Sequence, residues 1–109
     1  MSIASGATYR LGANDSIGSL QGSGNVDLSS YTLTAGGNNL STTFSGVISG
    51  VGSFLKSGSG VFTNSGSNNY SGSTTINGGS LVVTSGLSDL TRVNVGSNGI
   101  FDLATDDTV

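Results

Sequence analysis

The chain has no cysteine, histidine, glutamate, proline or tryptophan, and only 8% of its 109 residues are charged. Without cysteine there is no disulfide framework and no thiolate metal site. Without histidine or glutamate, acid–base chemistry would have to come from six aspartates alone. Positive charge is just as sparse. Arg10, Lys56 and Arg92 are the only basic residues, so no basic patch exists to bind nucleic acid or anionic lipid. No run of about 18 apolar residues occurs, so no segment is expected to insert into a membrane as a helix. The opening Met1-Ser2-Ile3-Ala4-Ser5 lacks the basic and apolar regions of a signal peptide. It reads as a start methionine placed on an excised fragment.

What is abundant is small and polar. Gly (19), Ser (21), Thr (12) and Asn (10) make up 62 of the 109 residues. A disordered linker could share that bias, but disorder normally combines low hydrophobicity with high net charge. Here 34% of residues are apolar, they are spread along the whole chain, and the net charge is −3. Gly every few residues excludes long helices, because each interior glycine costs about 1 kcal/mol relative to alanine. Short runs of Val, Ile, Thr, Phe and Tyr favour strands. The class is all-β.

Apolar residues recur as i, i+2 pairs: Tyr9 and Leu11, Val26 and Leu28, Tyr31 and Leu33, Leu81 and Val83, Phe101 and Leu103. That spacing puts both side chains on one face of a strand. Gly-Ser-Gly, Gly-Gly, Asn-Asn and Asn-Gly separate the pairs, and these residues accept the positive φ of tight corners. Three- to five-residue strands with a corner after nearly every one form the pattern of a solenoid. The competing architecture is a meander or antiparallel sandwich. Its best support is Asn77-Gly78 between Thr74-Thr75-Ile76 and Leu81-Val82-Val83, a strong local hairpin signal.

A longer echo is also present. Residues 95–109 restate residues 3–17 at a constant offset of 92: Ile3 with Val95, Tyr9 with Phe101, Leu11 with Leu103, Asp15 with Asp107 and Ile17 with Val109. With about 18–25 residues per coil, such a super-repeat spans four or five coils.

A more specific signature runs over residues 53–83. Gly52-Ser53-Phe54-Leu55-Lys56-Ser57-Gly58-Ser59-Gly60-Val61-Phe62 is followed by Asn69-Tyr70-Ser71-Gly72-Ser73-Thr74-Thr75-Ile76-Asn77-Gly78-Gly79-Ser80-Leu81-Val82-Val83. This resembles the autotransporter-associated β-strand repeat, also called the passenger-associated transport repeat. The residues that carry the resemblance are Phe54, Lys56, Gly58, Gly60, Phe62, Asn69, Tyr70, Gly72, Thr74, Ile76, Gly79, Leu81 and Val83. Phe54 and Phe62 stand where the family commonly has Leu, and Ser57 where Thr is common. The Thr43-Phe44-Ser45-Gly46-Val47-Ile48-Ser49-Gly50 coil before the signature is similar to the family's flanking pattern. The resemblance implies a right-handed parallel β-helix (β-solenoid) of about four to five coils. It also implies a surface-exposed or secreted passenger of a Gram-negative bacterium, exported by type V secretion and tethered by a C-terminal barrel outside this chain. Repeats of this kind are thought to assist translocation by folding beyond the outer membrane, and freedom from cysteine suits such export.

Discrete chemistry is harder to find. Lys56 could contact a ligand, but the plainer expectation is a strand residue pointing outward that discourages edge pairing. Asp102, Asp106 and Asp107, with Asp15 as the equivalent of Asp107, form the densest acidic group. No His, Glu or nearby base accompanies them to make an acid–base pair. The stretch Gly22-Ser23-Gly24-Asn25-Val26-Asp27 only approaches a calcium-binding nonapeptide. Asn38-Asn39 and Asn68-Asn69 are expected to stack as amide ladders inside corners, rather than bind sugars. Tyr70 is expected to pack at the edge of the core. Thr42-Thr43 and Thr74-Thr75 lack the coil-by-coil regularity of an ice-binding array.

The expected role is therefore a structural stalk module that aids secretion and presents distal domains at the cell surface, with no catalytic residues, metal or cofactor. The expected partners are adjacent coils of the same passenger, and the open solenoid ends offer a route to self-association. The alternative is an adhesive or self-associating surface that binds host cells, matrix or neighbouring bacteria; a polysaccharide-active enzyme ranks below both.

Overall fold

The computed structural model describes residues 1–66, 68–84 and 93–103. Among these residues there is no helix, and fourteen short strands fall into three sheets. Sheet A stacks β1 (Ser2–Ile3), β4 (Gln21–Gly22), β7 (Thr42–Phe44), β10 (Val61–Asn64), β12 (Gly79–Val83) and β14 (Gly99–Leu103). Sheet B stacks β2 (Thr8–Arg10), β5 (Asn25–Asp27) and β8 (Val47–Ser49). Sheet C stacks β3 (Asp15–Ile17), β6 (Thr32–Ala35), β9 (Ser53–Lys56), β11 (Thr74–Ile76) and β13 (Val93–Val95).

Strands next to each other in a sheet come from successive turns of the chain, and each of these pairings is parallel. The chain therefore winds as a β-solenoid of about five turns, passing from wall A to B to C in each of the first three, and in the fourth Asn68 continues wall B by a bridge to Ile48. In sheet A one column of stacked residues runs Ile3, Gly22, Phe44, Asn64, Val83, Leu103, with spacings of 19, 22, 20, 19 and 20 residues. The corners hold this period. Small residues let the chain turn where an ordinary side chain would meet the turn beneath, and many corner amides are bonded to that turn. For example, Ser57 N donates to Ala35 O at 2.8 Å, and Asn77 N donates to Lys56 O at 2.9 Å. This accounts for buried backbone groups that no other element could satisfy.

Asn77-Gly78 is one such corner and not a hairpin. β11 belongs to sheet C and β12 to sheet A, and each pairs with turns before and after it. The local signal is outweighed because a hairpin would leave both strands without the parallel neighbours that stacking supplies.

Strand alternation sends every second side chain into the shared interior. Leu20, Leu28, Leu33, Phe44, Ile48, Phe54, Phe62, Ile76, Leu81 and Val83 are buried there. The Phe54 and Phe62 rings, on walls C and A of one turn, lie 5.4 Å apart at 37°, within the range of favourable tilted aromatic pairs.

The 92-residue echo carries its chemistry from one wall to another. Ile3 lies in sheet A and Val95 in sheet C, and Tyr9 lies in sheet B and Phe101 in sheet A. Stacking aligns residues about 20 apart, so five turns bring Ile3 over Leu103 instead. Residues 104–109 of the echo lie outside the described residues.

Candidate functional site

The residues of the signature meet in the interior of two successive turns. On β9, Phe54 and Lys56 both point inward; on β11, Thr74 and Ile76 do so; on β12, Leu81 and Val83 do so. Phe54 stacks between Leu33 and Thr74, and Lys56 between Ala35 and Ile76. Phe62 stacks on Leu81. Gly58, Gly60, Gly72 and Gly79 stand at the corners, and Asn69 is exposed.

The position of Lys56 corrects the expectation of an outward residue. Its side chain is only 1% exposed. The reason is the same alternation that buries Phe54: two residues along a strand is the same face. Its ammonium donates to the carbonyls of Ser57 and Gly58 at the corner after β9. Glycines make the room for it. A Cβ on Gly36, in the turn before, or on Gly79, in the turn after, would come within 3.0 Å of Nζ. Both glycines also hold positive φ, +113° and +62°, which a side chain would strain. Burial lowers the lysine pKa below its ordinary 10.5. Leu20, Leu40, Thr42 and Phe62 lie around the same space, and among the described residues no carboxylate does. Lys56 thus fastens a corner by its carbonyl contacts and offers no surface charge.

Asn64 was not legible as a site, although it lies two residues beyond the inward Phe62. It is buried, and its Nδ2 donates to Oδ1 of the buried Asn68 across the corner between walls A and B. Gly66 N donates in turn to Asn64 Oδ1 at 3.3 Å. Asn68 bonds Asn64 within its own turn, and Asn38 and Asn39 bond backbone and hydroxyl groups where a ladder was expected. Asn39 takes φ +63° and its Oδ1 accepts from Ser59 N, one turn on, at 2.9 Å. Asn38 Oδ1 accepts from Leu40 N at 3.1 Å, and its Nδ2 donates to Ser19 Oγ. The physical reason is that successive turns differ in length, so corner side chains fall beside backbone groups more often than beside their own kind.

Tyr70 packs in the core as expected, at 4% exposure, with its hydroxyl 2.5 Å from Thr74 Oγ1. Burial pushes its pKa up to about 12.

The described aspartates do not converge. Asp15 sits exposed in the first turn on wall C, and Asp102 sits exposed on the last described strand of wall A. Asp106 and Asp107 lie outside the described residues. The Asp15 carboxylate accepts from the Tyr9 hydroxyl, and this bond raises the phenol pKa above 10.0. Asp15 also lines a shallow polar groove with Asn14, Ser16, Thr32 and Thr34. Asp27 Oδ1 caps Ser29 N at 2.9 Å, and Oδ2 accepts from Arg10 Nε at 3.0 Å. The near-calcium stretch that ends at Asp27 is therefore committed to holding its own corner. No group of three potential metal ligands occurs among the described residues.

Comparison with known proteins adds one finding. Residues 54–83 match the passenger-associated-transport-repeat family, which are the residues whose inward columns and glycine corners are described above. No curated protein and no solved structure matches the chain.

Proposed function

We propose that this chain is a structural stalk module of an autotransporter passenger, one that assists secretion across the outer membrane and presents more distal domains at the cell surface. The repeat at residues 54–83 and the β-solenoid fold fit a passenger structural module and favour a structural over a catalytic role. The observation that carries the reading is the stacked column itself. Each inward residue of the repeat is covered by the turn before and the turn after, as Lys56 is by Ala35 and Ile76.

A physical route to secretion follows from that geometry. Every turn added buries apolar surface, worth about 25 cal/mol per Å², and pairs the open edge of the preceding turn. Stability then grows turn by turn, and a segment that has folded outside a narrow pore cannot slip back through it. The rectification needs no energy source besides folding.

The test uses a full-length passenger that contains the repeat. A charge at a fully buried inward position, Ile76→Asp or Leu81→Asp, is expected to reduce the amount of passenger exposed to external protease, and Thr75→Asp on the outer face is expected to leave it unchanged. Normal display of an Ile76→Asp passenger whose repeat is demonstrably unfolded would overturn the reading.

A further inference from the structure

The solenoid holds two Asn-Gly pairs, Asn77-Gly78 and Asn98-Gly99, at the C-to-A corners of successive turns; Gly79 stacks on Gly99. Both asparagines are exposed. They differ in the backbone nitrogen that follows. Gly99 N donates to Gly96 O at 3.1 Å, closing a turn around Ser97 and Asn98. Among the described residues, Gly78 N makes no hydrogen bond. Gly78 carries no Cβ to shield it, and Gly79 beyond it holds a left-handed φ of +62°.

We propose that Asn77 is a self-modification site, where the chain converts its own side-chain amide to a carboxylate. The nitrogen of Gly78 attacks Cγ of Asn77, and the new N–Cγ bond closes a five-membered imide. The Cγ–Nδ2 bond breaks, and ammonia leaves with the proton released from Gly78 N. Water then adds to one of the two imide carbonyls and opens the ring, to an aspartyl or to an isoaspartyl residue at position 77. No co-reactant besides water is needed. At Asn98 the same attack must first break the bond from Gly99 N to Gly96 O.

The site is placed where the product has consequences. Asn77 and Gly78 are the whole connection between β11 and β12, and Asn77 N is bonded to Lys56 O. Isoaspartyl linkage adds a methylene to that two-residue corner and shifts Gly79, the residue that covers the Lys56 ammonium. Conversion at the surface thereby loosens the seat of a buried lysine in the repeat, which makes the corner a timer on the age of the stalk.

The experiment is incubation of the folded chain in mildly alkaline buffer, followed by peptide mapping of both sites by mass spectrometry. In the folded chain Asn77 is expected to convert about fivefold faster than Asn98, the rate factor that corresponds to one net hydrogen bond. In denaturant the ratio is expected to fall close to one, because both are Asn-Gly pairs. Asn77→Gln, whose longer side chain cannot close the five-membered ring, is expected to abolish modification at 77 and leave Asn98 unchanged. Equal rates in the folded chain, or faster conversion of Asn98, would overturn the site. Lys56, the only lysine, is expected to gain reactivity toward an amine-acylating reagent in step with the isoaspartyl fraction. Conversion with no such gain would overturn the link to the corner.

Discussion

The first turn and the turns of the matched repeat are built from the same strands and corners, yet they bury very different amounts. In the first turn Tyr9 and Ile17 are half-buried, and Asp15 occupies the column position that Leu33, Phe54 and Thr74 fill below it. In the repeat Phe54, Phe62, Ile76 and Leu81 are covered on every side. In the first turn, which pairs with a neighbour on one side, Ile3 and Leu11 are buried while Tyr9 and Ile17 are not fully covered, so burial depends on stacking as well as on the strand that carries the residue. The same difference appears in the corners. Gly6, at φ +85°, has open space where a Cβ would stand, whereas Gly79 has the carbonyl of Gly60 and the ammonium of Lys56 there.

The sharpest way to break this comparison is to remove a matched pair of apolar side chains. Ile76→Ala, at a fully buried site of the repeat on wall C in the same column as Ile17, is expected to cost about 2–5 kcal/mol. Ile17→Ala in the first turn, half-buried, should cost under about 2 kcal/mol because less surface leaves water there. Urea denaturation of both variants measures the two costs, and equal losses would mean that the end turn is as well sealed as the middle.

A smaller contrast is expected at the glycines. Gly6→Ala meets only the strain of a positive φ, about 1 kcal/mol. Gly79→Ala meets that strain and overpacking against backbone, together about 2–4 kcal/mol. Thermal unfolding midpoints should separate the two variants in that order.

The smallest effect concerns Lys56, and its sign follows from burial. Its folded pKa lies below the ordinary 10.5, so in the window between the two values the unfolded chain binds more protons. Stability therefore rises with pH across that window. The penalty for burying the charge is absent above 10.5 and fully imposed below the folded value. Lys56→Met, of similar length and without charge, should flatten this slope and leave stability at neutral pH unchanged or raised by about 1–2 kcal/mol. The readout is the urea midpoint measured from neutral to strongly alkaline pH. A slope in the variant as steep as in the parent chain would show that other groups cause it.

Much of this molecule was legible in the residues themselves. Pairs such as Leu81 and Val83 announced strands with one buried face, and the glycine-rich breaks announced corners. The spacing of Phe54, Lys56, Tyr70, Ile76 and Gly79 pointed to the repeat that family comparison then matched at 54–83. Lys56 and Asn64 were misjudged or missed for one reason. A polar residue on a strand is readily taken as outward, although Phe54 and Phe62, two positions earlier, already defined the inner face. The period-two rule contained the answer, and polarity outweighed it.

Sequence alone determined the all-β class, the strand-and-corner rhythm and the faces of most strands, because these depend on alternation and on local backbone preference. The tertiary structure decided which strands become neighbours. It turned Asn77-Gly78 from a hairpin into a corner, set Asn39 against Ser59 N, and closed Gly36 and Gly79 around a buried ammonium. Those outcomes depend on the register between turns about 20 residues apart. That register arises from the summed fit of every column at once, which no local stretch of sequence contains.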